Sequence, residues 1–101
     1  MSGFAAVLAE DRRLIILRSL ADVPGYHLNE QVLKLGLNAF GHHAGRDLVR
    51  ADIQYLLDHD LVRVDRLPGQ GGELWLVTLT AACEDVAKGR LHPGVARPRP
   101  G

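Results

Sequence analysis

The sequence predicts an α+β fold in which helices stand against a small sheet, and three neighbouring stretches carry that expectation. From Arg46 onward, Val49, Ile53, Leu56 and Leu57 recur at helical spacing and fall on one face. Leu61 to Leu67 then alternates in the strand manner, with Val62 and Val64 flanked by Arg63 and Asp65. Leu74 to Leu79 is rich in β-branched and aromatic residues. Between the two strands, Pro68-Gly69-Gln70-Gly71-Gly72 is turn chemistry, because glycine reaches positive φ without steric cost. A helix followed at once by a hairpin is the second half of a winged helix-turn-helix. The expected order is therefore helix, strand, helix, helix, hairpin, helix, with a three-stranded sheet. The hairpin tip reads as too long for a two-residue connection and is expected to be floppy.

The first helix opens at Ser2 or Gly3 and carries Phe4, Val7, Leu8, Leu14, Ile15, Leu17 and Leu20. Asp11-Arg12-Arg13 reads as an exposed turn midway along it. Leu14-Ile15-Ile16-Leu17 is apolar all round, so this part is expected to be covered on several sides. Pro24-Gly25 ends the helix. Tyr26-His27-Leu28 is short enough to be a small first strand that pairs with the hairpin. Asn29 is a good N-cap for the second helix, with Leu28 and Leu33 placed as a hydrophobic staple. That helix runs through Val32, Leu33, Leu35 and Leu37 to Phe40, and Gly36 inside it costs about 1 kcal/mol relative to alanine. Gly41 to Gly45 turns the chain into the third helix. After the hairpin, Thr80 is expected to cap a last helix from Ala81 to about Lys88, with Glu84 and Asp85 near its positive end. Gly89 is a natural stop. Residues 1–90 then form the domain, and 91–101 form a tail rich in proline, glycine and arginine that is expected to be extended and mobile.

Composition narrows the class. A chain of 101 residues, 47% of them hydrophobic, supports one domain with a modest core. No apolar run approaches the roughly 18 residues of a membrane span, and the first residues lack the basic start of a signal peptide. A single cysteine, Cys83, excludes an internal disulfide and fits a reducing cytoplasm. The 12 basic and 12 acidic residues cancel, but unevenly. Lys88, Arg90, Arg97 and Arg99 follow the last acid, Asp85, so residues 1–87 hold 8 basic against 12 acidic. A mildly acidic body is a poor non-specific binder of DNA.

Arg46, Asp47, Arg50 and Gln54 could read a major groove from the third helix, since Arg pairs with guanine and Gln with adenine. Arg46 and Arg50 stand at i and i+4 and are expected to be exposed on that face together. Arg63 and Arg66 on the hairpin complete the candidate DNA-binding set. The alternative is a solvated helix face, which Asp47 and Asp58 favour by repelling phosphate. Gly69-Gln70-Gly71-Gly72 is followed by a strand and has no nearby lysine, so it reads as a hairpin tip rather than a phosphate loop. His42 and His43, with His27, His59 or Cys83, show no paired zinc spacing, and no metal is expected. Asp58-His59-Asp60 has no nucleophile within sequence reach and reads as a polar helix end. Neither catalysis nor a cofactor is expected. Trp75 reads as a packing residue beneath the hairpin rather than a base-stacking platform.

The element order resembles winged-helix regulators of the ArsR and MarR type, and more closely the small winged-helix proteins of Mu-like phages and prophages. The stretches that carry the resemblance are Gly25-Tyr26-His27-Leu28-Asn29, Phe40-Gly41-His42, Arg46-Asp47-Leu48-Val49-Arg50, Val77-Thr78-Leu79-Thr80, Asp85-Val86-Ala87-Lys88-Gly89-Arg90 and Gly94-Val95-Ala96-Arg97-Pro98. The resemblance implies a phage protein of the bacterial host cytoplasm, from a gene near lysis and packaging genes. The hairpin tip has no Arg or Lys, and the cysteines of ArsR-type metal sensing are absent. The expected function is a regulator or DNA-packaging accessory that binds double-stranded DNA. A protein–protein adaptor on the same scaffold is the alternative, with a phage protein as its partner. The surplus apolar residues Leu14 to Leu17, with Leu48 and Tyr55, lead to an expected homodimer through the first and last helices. No membrane partner is expected.

Overall fold

In a computed structural model that describes residues 3–69 and 71–81, helix α1 spans Gly3–Ala21 without a break. Asp11-Arg12-Arg13 is therefore not an exposed turn, because Arg12 finds a partner on a distant helix. Its Nε donates to Asp52 Oδ2 at 2.5 Å, and both residues leave water together. Arg13 lies 3.5 Å from the same carboxylate, with its guanidinium 3.7 Å from the centre of the Tyr55 ring. Leu14, Ile16, Leu17 and Leu20 line the buried side of α1. The surplus apolar residues behind the expected dimer are thus largely absorbed within one chain.

A 3-10 turn at Pro24–Tyr26 leads to strand β1, His27–Asn29, one residue later than the sequence suggests. Asn29 caps helix α2, Glu30–Ala39, by accepting the Val32 N–H at 3.0 Å. The helix ends in a Schellman motif. Gly41 takes φ +94°, its N–H reaches the Asn38 carbonyl, and the His42 N–H reaches the Leu37 carbonyl. Asn38 Nδ2 then donates to the carbonyls of Lys34 and Ala44 and ties down the turn into helix α3, Arg46–Asp58. The same C-terminal motif recurs at the end of α3, with Asp60 at φ +60° in the glycine position. Val49, Ile53 and Leu56 face the core as their spacing predicts.

Strands β2, Val62–Gly69, and β3, Gly72–Leu79, pair antiparallel from Val62↔Leu79 to Gly69↔Gly72. The connection is therefore positions 70 and 71, of which 70 lies outside the described residues. The expected long, floppy tip is not found, because Pro68 and Gly69 extend the ladder. Pro68 is tolerated there because β2 is an edge strand. The sheet order is β1-β3-β2, with all neighbours antiparallel. Trp75, Val77 and Leu79 of β3 face inward with Val62, and the core closes between this sheet face and the three helices. The fold is α+β: three helices and a three-stranded antiparallel sheet among the described residues. The expected last helix, Cys83 within it and the tail lie outside the described residues.

Candidate functional site

Strand β1 is only three residues long, and its ladder with β3 stops at Asn29↔Leu76. Beyond that point the same edge of β3 has no strand partner among the described residues. Backbone groups left open there would be a template for another chain. Three side chains close the edge. Glu30, the first residue of α2, accepts the Trp75 N–H at 2.8 Å. Alternate residues of a strand present their backbone groups to the same edge, so two residues earlier the Glu73 carbonyl points the same way. It accepts from Arg50 Nη2 at 2.8 Å and from Arg46 Nη2 at 3.3 Å.

Glu30 also holds Arg50 by two parallel bonds, Nε to Oε1 at 2.7 Å and Nη2 to Oε2 at 2.8 Å. That bond to Arg50 draws the Glu30 carboxyl below its ordinary value of 4.5, although burial opposes the shift. The Trp75 N–H and the positive charges of Arg50 and Arg46 reinforce it. Glu30 in turn strengthens the hold of Arg50 on its proton. Two guanidinium groups lie over the indole of Trp75, Arg50 at 4.7 Å and Arg66 at 4.9 Å from the ring centre. Its buried N–H has no hydrogen-bond partner among the described residues.

The candidate DNA-binding residues are therefore divided. Arg46, Arg50 and Arg66 converge on Glu73 and Trp75. Arg50 is not the exposed side chain that its spacing suggests. It is half-buried and spent on a carboxylate and a strand edge, because a three-residue β1 leaves that edge in need of donors. Arg46 is exposed. Asp47 is exposed beside it, and half-buried Gln54 donates to Asp58 at 2.8 Å, one turn further along. Arg63 is exposed on the opposite face of the hairpin, since it is an odd number of residues from Arg66. Lys34, which the sequence did not single out, joins Glu30, Gln31, Arg46 and Val49 around a small cleft of about 90 Å3 between α2 and α3. Glu30 was also missed. An acid at the first turn of a helix is common, so nothing in its position marks it.

The histidines disperse. His42 Nε2 lies 2.8 Å from Asp11 Oδ2, His59 stacks on Tyr55 at 4.1 Å, and His27 Nδ1 lies 3.1 Å from the Gly25 carbonyl. Among the described residues no three His, Cys, Asp or Glu side chains are grouped to hold a metal. No helix among them is long and apolar enough to cross a membrane.

No protein-family model matches the chain. It is 38% identical over 65 residues to an uncharacterized protein of Haemophilus influenzae, covering 64% of this chain and 63% of that one. It is 47% identical over 95 residues to the uncharacterized protein gp26 of Escherichia phage Mu, covering 93% of this chain and 94% of that protein. With nearly full coverage of both chains, the protein belongs to the family of phage Mu gp26 and is a Mu-like phage protein.

Proposed function

We propose that this chain is a winged helix-turn-helix protein without catalytic activity that binds double-stranded DNA in the host cytoplasm, as a phage regulator or a packaging accessory. The observation that carries the reading is the junction of α3 with the hairpin. Arg46 and Arg50 grip the Glu73 carbonyl, so the helix and the two-stranded arm present one continuous edge to a duplex. The sheet order, with β1 on β3, is the arrangement a winged helix requires. In this reading Arg50 positions the helix rather than contacting bases. Arg46 and Lys34 contact phosphate, and Gln54 is the base-reading side chain.

A titration against duplex DNA at several salt concentrations tests this. Arg46→Ala and Lys34→Ala each weaken binding to all sequences and flatten the salt slope by about one unit. Gln54→Ala weakens the specific site alone. The adaptor reading draws on one observation, the excess of acids over bases in residues 1–87. If the folded protein binds no duplex at low salt, the adaptor reading replaces the DNA reading.

A further inference from the structure

Helix α1 is apolar on two sides, and the fold covers one of them. On the other, Phe4 is 75% exposed, Val7 57%, and Phe40 at the end of α2 71%. Val7 and Phe40, with half-buried Leu8 and Ile15, line an open cleft of about 840 Å3 along the helix. A contiguous apolar face of this kind marks a contact surface. Among the described residues its rim is acidic: Glu10, Asp11 and Asp22 stand against one cation, Arg18.

The chain supplies a matching occupant. Residues 82–101 follow the described structure, and beyond Asp85 they carry Lys88, Arg90, Arg97 and Arg99 with no acid. Leu91 and Val95 are interleaved among these cations. An extended stretch of this length reaches roughly 60 Å, more than the 39 Å longest extent of the molecule. Tethering raises the local concentration of the segment at the cleft far above that of a free partner.

We propose that the chain's own basic C-terminal stretch, residues 86–99, lies in the cleft on the outer face of α1. Leu91 and Val95 cover Val7, Ile15 and Phe40, and the cations stand beside Glu10, Asp11 and Asp22. This is independent of the DNA reading, since none of these residues belongs to the α3–hairpin edge.

The test uses the full chain with Cys83→Ser and Gly94→Cys, a nitroxide on the new thiol, and amide spectra of 15N-labelled protein. Broadening of the Val7, Asp11, Ile15 and Phe40 amides, with the Gly71 and Gly72 amides unaffected, is the expected result. Both Ile15→Glu and the pair Arg97→Glu/Arg99→Glu abolish that broadening. The second variant leaves the described residues untouched, so a folding defect in the first does not decide the matter. An equimolar mixture of spin-labelled, isotope-free chains with 15N chains bearing no nitroxide separates the two origins of the segment. Absence of broadening on α1, its persistence in both variants, or its appearance in the mixture as a contact from a second copy each overturns the proposal.

Discussion

Helix α3 carries an arginine–carboxylate pair on each flank, and the two are built in opposite senses. Toward α1 the helix supplies the carboxylate, Asp52, whose side chain is 3% exposed and is met by Arg12 with Arg13 close by. Toward α2 and β3 it supplies the cation, Arg50, whose side chain is 22% exposed and meets the buried Glu30. Among the described residues the first pair joins two helices and nothing else. The second also satisfies two backbone groups of a strand edge. Removing one member of the inner pair strands a charge away from water, whereas at the outer pair only Arg50 would be left partly hydrated, because Glu30 is itself buried. Position relative to water, rather than the count of ion pairs, sets what each is worth.

The most severe way to break this symmetry is Asp52→Ala. It leaves Arg12 without its buried partner and is expected to cost about 3 kcal/mol or more in a urea melt. The double change Arg12→Met/Asp52→Leu should recover most of that loss, because two apolar side chains replace two desolvated charges. A double variant as unstable as the single one would show that the pair contributes more than its desolvation.

A smaller effect is expected at the outer pair. Glu30→Gln keeps an acceptor for the Trp75 N–H but loses the charge facing Arg50, at a cost of about 1–2 kcal/mol. The folded carboxyl titrates below its ordinary value of 4.5, so its contribution is complete above that value. It is lost as pH falls through the lower folded value. Wild type and Glu30→Gln should therefore differ at pH 7 and converge in acid. Trp75, the chain's single tryptophan, gives the readout by its fluorescence. A difference that is constant down to strong acid would mean that the charge on Glu30 is not what stabilises the edge.

The smallest change leaves both pairs intact. Asp60 occupies a left-handed conformation at the end of α3, where glycine carries no steric penalty. Asp60→Gly should raise stability by about 0.5 kcal/mol, net of the entropy glycine adds to the unfolded chain. Thermal melts that show a loss instead would assign the Asp60 side chain a stabilising contact.

The α3 stripe Val49, Ile53 and Leu56, the Asn29 cap, the stop at Gly41 and the alternation of β2 were all legible in the sequence, because each is a local pattern of spacing or backbone chemistry. Arg12 and Arg50 were not, since their partners stand 40 and 20 residues away. A charged residue reads as exposed until its counter-ion is located. One clue was present: Asp52 falls beside Val49, Ile53 and Leu56 on the apolar face, and an acid in such a stripe calls for a buried partner. The hairpin length was misjudged because Pro68 and Gly69 look like turn residues, although an edge strand can accommodate both. The candidate DNA set was drawn from helical spacing alone. That spacing placed Arg46 and Arg50 together correctly but could not show that β3 would occupy them.

The attachment of β1 to β3 also orders events in time. The hairpin β2–β3 is local and can form early, whereas His27↔Thr78 closes a loop of about 50 residues. We expect that closure to follow the docking of α2 and α3, with β1, Glu30 and the edge arginines assembling late as one unit. Weakening this unit should leave the folding rate nearly unchanged and speed unfolding, with one limb of a chevron raised and the other unmoved. A corner that joins helices to sheet would then set how long the folded molecule survives.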